Sequence, residues 1–192
     1  MVRPGKCPKK LVGRPGALEA FAKAVRLAPS DPVAQTRLGS ELLALGKPPD
    51  ALPHLEAAVR LDPENQSALY NLQRALRLAG QAEEAEAVKA KLNELLRRQD
   101  QADQNAVAGI ELNNQGAGRE RAGDLRGALE KYREALRRYP DHVGIRLNLA
   151  IALLRLGEWT EGIAELREVV RRDPSHRAAQ KALAEALAQA PR

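Results

Sequence analysis

Three asparagines, Asn71, Asn114 and Asn148, stand at matching places along the chain, each two residues before Gln73, Gly116 and Ala150 respectively. A carboxamide both donates and accepts hydrogen bonds, so a row of them can pair with the backbone of an extended peptide whatever its side chains. Arg37 holds the corresponding place in an earlier segment. If these segments are helices, helical spacing brings Thr36, Ser40, Tyr70, Arg74, Arg77, Asn113, Arg121 and Arg155 to the same side. Guanidinium groups favour carboxylates, which points to a partner with acidic residues or a free C-terminus.

Other chemistry is poorly supplied. His54, His142 and His176 lie far apart in sequence, without the one-turn spacing that lets two imidazoles converge on a metal, and they read as satisfied or solvated. The single cysteine, Cys7, excludes an internal disulfide framework and any site built from several thiolates. "GSELLALGK" has six residues rather than four between its glycines, and Pro48 follows its lysine where a phosphate loop needs a hydroxyl residue. No nucleophile elbow, cysteine and histidine arrangement or carboxylate pair in a plausible cleft is found. The chain therefore reads as non-catalytic, with no cofactor and no metal.

The elements that must position the asparagines repeat. "GDLRGALEKYREALRRYPDH" from Gly123 returns as "GEWTEGIAELREVVRRDPSH" from Gly157, 34 residues later, and related segments end at Pro29 and Pro63. Small residues recur at Ala51, Ala85, Ala128 and Gly162, and again seven residues later at Ala58 and Ala135. Phe21, Leu55, Tyr132 and Leu166 supply the bulk beside them. Upstream of each lies a second apolar stripe, such as Leu38, Leu42 and Leu45, closed by a glycine as helix C-termini often are. Each unit is thus two helices and a turn. Such a pair cannot bury enough apolar surface alone, so neighbours must stack.

This pattern resembles the tetratricopeptide repeat from about Gly13 onwards, although Gln35, Leu69, Leu112 and Arg146 stand where a tryptophan is usual, and Leu92 and Val169 replace the second alanine in two units. The resemblance implies an all-α, right-handed α-solenoid of antiparallel helix pairs whose first helices line a concave groove. It also implies a non-catalytic scaffold that binds a protein or peptide segment, acidic or extended, through Asn71, Asn114, Asn148, Arg37, Tyr70, Arg74, Asn113, Arg121, Leu147, Ile151 and Arg155. Leu147, Ile151 and Leu154 enter because "IRLNLAIALLRL" is apolar nearly all round; Leu149 and Leu153 belong to the core, and the C-terminal helix competes for the remainder. The lysine and asparagine pattern of the family's chaperone-tail clamp is not reproduced.

The units divide as a basic disordered tail (1–14), a second helix alone (15–31), repeats at 32–65, 66–108, 109–142 and 143–175, and a capping helix (176–192) in which Leu183 and Leu187 cover the last pair while Lys181, Glu185 and Gln189 face water. The missing first helix raises the reading of a module detached from a larger protein or enzyme. Between Pro63 and Pro140 lie nine residues beyond two full periods. Either the polar run Gln99 to Asn105 holds a break, or residues 82–122 fuse into one helix and expose the halves to a swapped dimer. We expect the break, and a monomer. Pro53 is expected to give its helix an irregular start.

The net charge is +6, with 31 basic and 25 acidic residues, and Arg3, Lys6, Lys9, Lys10 and Arg14 sit in a stretch without acids. The rest is nearly neutral and holds five aromatics, which does not make a phosphate-tracking face, so nucleic acid is not expected as a partner. Without an apolar run of about 20 residues or a signal-peptide h-region, membrane insertion is not expected and a cytoplasmic location is the default.

Overall fold

The computed structural model describes residues 16–191, so the expected basic tail and Cys7 lie outside the described residues. Among the described residues there are nine helices and no strand: α1 (Ala17–Leu27), α2 (Pro32–Ala44), α3 (Pro48–Leu61), α4 (Gln66–Leu78), α5 (Ala82–Arg121), α6 (Leu125–Arg138), α7 (Val143–Arg155), α8 (Trp159–Arg172) and α9 (Arg177–Gln189). They form two compact units that divide between Gln99 and Asp100.

Helix ends follow from side chains that satisfy otherwise unpaired backbone groups. Asp31 and Asn65 accept the amides of Val33 and Ala68 at 2.8 and 3.0 Å, capping α2 and α4. At the other ends Gly46, Gly80, Gly123 and Gly157 have φ of +72° to +84°, a left-handed conformation that costs glycine nothing. Beyond the first, the Lys47 amide returns to the Leu42 carbonyl at 2.9 Å, and beyond the third the Asp124 amide returns to Arg119 at 2.9 Å.

In the unit of residues 16–99, α2 packs against α1, α3 and α4. Its core joins Leu38, Leu42, Leu55, Leu72 and Leu76 to Ala51, Ala75 and Ala85, with Phe21, Val25 and Val88 packed on the edge. Full burial of a leucine such as Leu55 stabilises by about 1.5–3 kcal/mol. The small places set how closely the helices approach: a Cβ on Gly39 would lie 2.5 Å from Leu55 Cγ.

The unit of residues 100–191 repeats the device with a larger residue. A Cβ on Gly116 would lie 2.6 Å from the Tyr132 ring, and Tyr132 is buried among Ala128, Leu129, Leu149 and Leu153. A second cluster of Ala150, Ile163, Leu166 and Ala186 is covered by α9 through Ala182 and Leu183. Where tryptophan is usual, polar side chains take another role. Gln35, Arg146 and Gln180 each donate to the proline carbonyl six residues earlier, at 2.9, 3.0 and 2.8 Å. Gln35 also accepts from His54 Nδ1 at 2.8 Å, and Arg146 pairs with Glu165 at 2.6 Å, nineteen residues on in both cases. These bonds tie the inter-unit turn to the first and second helices of the next pair.

Four expectations are corrected. No break occurs in the run Gln99 to Asn105: α5 is a single 40-residue helix. Residues 82–108 hold no glycine or proline, and polar side chains left in water do not interrupt a helix. Pairs one turn apart, Glu86 with Lys89 at 2.9 Å and Glu94 with Arg97 and Arg98, support it by a few tenths of a kcal/mol each. Pro53 lies inside α3 rather than at its start, because Pro48 and Pro49 already occupy the first turn. Leu45 is exposed, since it ends α2 where the chain turns away from the core. Leu187 is exposed as well, and Ala179, Ala182 and Ala186 provide the face of α9 that packs.

Candidate functional site

In the first unit, α2 and α4 lie side by side, and between them opens a cleft of about 420 Å³ lined by Thr36, Arg37, Ser40, Asn65, Ser67 and Asn71, with Val33 at its edge. Two of these side chains are committed to the backbone: Thr36 donates to the Pro32 carbonyl at 2.7 Å, and Asn65 caps α4. Among the described residues Arg37, Ser40, Ser67 and Asn71 make no side-chain hydrogen bond or ion pair. They offer donors and acceptors to whatever enters. Farther along α4, Arg74, Arg77 and Leu78 line a second cavity of about 280 Å³. Tyr70 is 54% exposed and Leu78 61%, and α4 carries no acidic side chain.

The second unit uses the same residue types differently. Asn148 Nδ2 donates to Asn113 Oδ1 at 2.9 Å, so two of the expected groove amides are bonded to each other across α5 and α7. Arg155 is paired with Glu120, whose other oxygen accepts the Tyr132 hydroxyl at 2.8 Å. Burial first, and the Glu120 carboxylate second, raise the Tyr132 phenol well above its ordinary range, so it remains a donor. Arg121 Nε donates to the Ala117 carbonyl at 3.3 Å, and Asn114 is exposed beside them. Ile151, Leu154 and Arg155 line a cavity of about 370 Å³ with Trp159 and α9. Leu147 packs against the second cluster. Glu185 and Gln189 are exposed, as expected, and stand at the rim of that cavity.

The structure thus brings Arg37 and Asn71 together, and Asn113 with Asn148, while Leu147 lies half-buried against the second cluster. Glu120 escaped the sequence reading. Its signal was an acid 35 residues before Arg155, on the neighbouring first helix. Trp159 and Ser67 were missed because neither belongs to the repeated asparagine positions.

Several titratable groups hold the scaffold. His142 and His176 accept the amides of Ile145 and Ala179 at 3.1 and 3.3 Å as caps of α7 and α9. Burial lowers the His54 pKa below its usual 6.5. Hydrogen bonds from Arg171 and then Arg172 hold the Glu168 carboxyl down to about 2. Among the described residues no group of three or more histidine, cysteine or acidic side chains is placed to hold a metal ion, and no helix is long and apolar enough to cross a membrane.

Two sequence models of the tetratricopeptide repeat match the chain, one over residues 36–103 and the other over residues 121–187, together more than half of its length. The chain belongs to the tetratricopeptide-repeat (TPR) family. The TPR domain is a protein–protein interaction module. No curated protein sequence matches this TPR chain. Among solved structures, it is similar to YrrB, a TPR protein with an unusual peptide-binding site, at 19% identity over 90% of this chain and 84% of that one, with a TM-score of 0.41. It is also similar to MamA, at 20% identity over 85% and 91%, with a TM-score of 0.41. A third similar structure is the TPR2AB domain of yeast Sti1 in its pHSP90 complex, at 19% identity over 88% and 74%, with a TM-score of 0.41.

Proposed function

We propose that this TPR protein is a non-catalytic scaffold that binds an extended segment of a partner protein along its first helices. The reading is carried by one observation: Arg37, Ser40, Ser67 and Asn71 share an open cleft between α2 and α4 without partners among the described residues. An extended peptide presents a backbone N–H and C=O at every residue, and the Asn71 carboxamide matches one of each. Hydroxyl groups from Ser40 and Ser67 take further backbone or side-chain contacts. Tyr70 and Arg74, on the same helix as Asn71, extend the surface of this unit on which such a segment rests.

A display selection of random 12-residue peptides against the full chain, followed by fluorescence anisotropy, tests the reading. Asn71→Ala and Arg37→Gln are each expected to weaken the selected peptides about tenfold, as groups central to an interface do. Asn148→Ala, whose amide is already engaged, should change affinity less than about twofold. Peptides bound equally by the parent and Asn71→Ala would overturn the reading.

A further inference from the structure

Four features of the α2 and α4 face decide which segment it would accept. Arg37, Arg74 and Arg77 have no carboxylate partner among the described residues. α4 bears no acid of its own. Its exposed leucine, Leu78, stands in the cavity of the two guanidinium groups. Asn71, Arg74 and Leu78 follow one another at three- and four-residue intervals, which places them on one side of the helix.

We propose that the partner segment is acidic and amphipathic: a carboxylate side chain reaches Arg37 beside Asn71, and about three residues away an apolar side chain covers Leu78 with a second carboxylate between Arg74 and Arg77. This rests on the peptide-binding reading above. The spacing follows from the two chains' geometry. Seven helical residues from Asn71 to Leu78 rise about 10 Å, which an extended peptide spans in about three residues. Each guanidinium presents a planar fork that matches a carboxylate, and unpaired arginines concentrate that preference on one face. Leu78 supplies what charge alone does not, since an apolar side chain laid on it is removed from water. The specificity is therefore a pattern, acid then apolar then acid, rather than net negative charge. It requires no free carboxyl terminus.

The test uses the full chain and fluorescein-labelled peptides with blocked ends. One carries glutamate three positions before a Leu-Glu pair. Its relatives replace both glutamates by glutamine, leucine by serine, or the first glutamate by phosphoserine. The glutamine and serine peptides are expected to bind about tenfold and about fivefold more weakly than the parent peptide. Arg74→Gln with Arg77→Gln should weaken the acidic peptide about tenfold and the glutamine peptide less than twofold, and Leu78→Ser should weaken only peptides that carry leucine. Leu78 is exposed, so circular dichroism of Leu78→Ser should match the parent. If the glutamine peptide binds as tightly as the acidic one and Asn71→Ala weakens both, the charge pattern is refuted while peptide binding stands. If phosphoserine binds more than about tenfold tighter than glutamate, the site selects phosphate and the carboxylate proposal falls. If Asn71→Ala weakens no peptide, the underlying reading falls and takes this one with it.

Discussion

The first helices of the two units are built from the same repeat, yet they present different hydrogen-bonding states. In residues 16–99, Arg37, Asn71, Arg74 and Arg77 stand without protein partners among the described residues. In residues 100–191, Asn113 and Asn148 bond to each other, Arg155 is paired with Glu120, and Arg121 is turned onto its own helix. A repeat position thus fixes where a side chain stands, while its availability depends on which residue occupies the neighbouring place one period away. One acid, Glu120, accounts for the engagement of Arg155.

The largest effect should come from the packing that both units share. Tyr132→Ala is expected to destabilise the second unit by about 3–5 kcal/mol, and Leu55→Ala the first by about 2–5 kcal/mol, because each empties a fully buried site facing a glycine. Urea denaturation of both variants checks this. A loss under about 1 kcal/mol in either would show that the unit collapses around the gap, and the parallel between Gly39 with Leu55 and Gly116 with Tyr132 would fail.

Glu120→Gln addresses the contrast itself. Glutamine still accepts the Tyr132 hydroxyl but no longer neutralises Arg155, so the α7 face should gain affinity for acidic peptides of about threefold to tenfold. The accompanying stability loss is about 1 kcal/mol. Peptide titration of this variant in a background that carries Arg37→Gln, Arg74→Gln and Arg77→Gln isolates the second unit. An unchanged affinity there would mean that the acid does not control the face.

The smallest effects are differences in pH dependence. Burial disfavours the charged form of His54, so the unfolded chain binds its proton at higher pH than the folded one. The stability this represents is fully present above pH 6.5 and is lost as pH falls through that value towards the lower folded pKa. Glu168 behaves likewise at lower pH: its contribution is present above its ordinary 4.5 and declines as pH falls to about 2. Hydrogen exchange followed between pH 7.5 and 3 should therefore show His54→Gln flattening the first unit's slope below about pH 6.5 and Glu168→Gln flattening the second unit's below about pH 4.5. Identical slopes in parent and variants would remove these two groups from the account.

Much of the scaffold was legible before any coordinates. The positive-φ glycines fell where the apolar stripes ended, the alanine and glycine places proved to be close helix contacts, and Leu149 and Leu153 are core. Those features repeat, and repetition separates them from coincidence. The central helix was misread because a run of polar residues was given the weight of a helix stop, although only glycine, proline or a lost packing partner would have supplied one. The candidate site was half legible. Arg37 and Asn71 do meet in one cleft, but nothing in their own surroundings distinguished them from Asn148 and Arg155.

The amino-acid order alone settled the local matters: where helices begin and end, which faces are apolar, and that units must stack to bury them, since capping, turn conformation and periodicity all act within a few residues. Only the tertiary structure decided that Leu45 and Leu187 lie in water and which polar side chains remain open to a partner. Side chains such as Asn113 and Asn148 or Glu120 and Arg155 meet only when successive helices dock, and whether a donor is free or satisfied is determined at that contact.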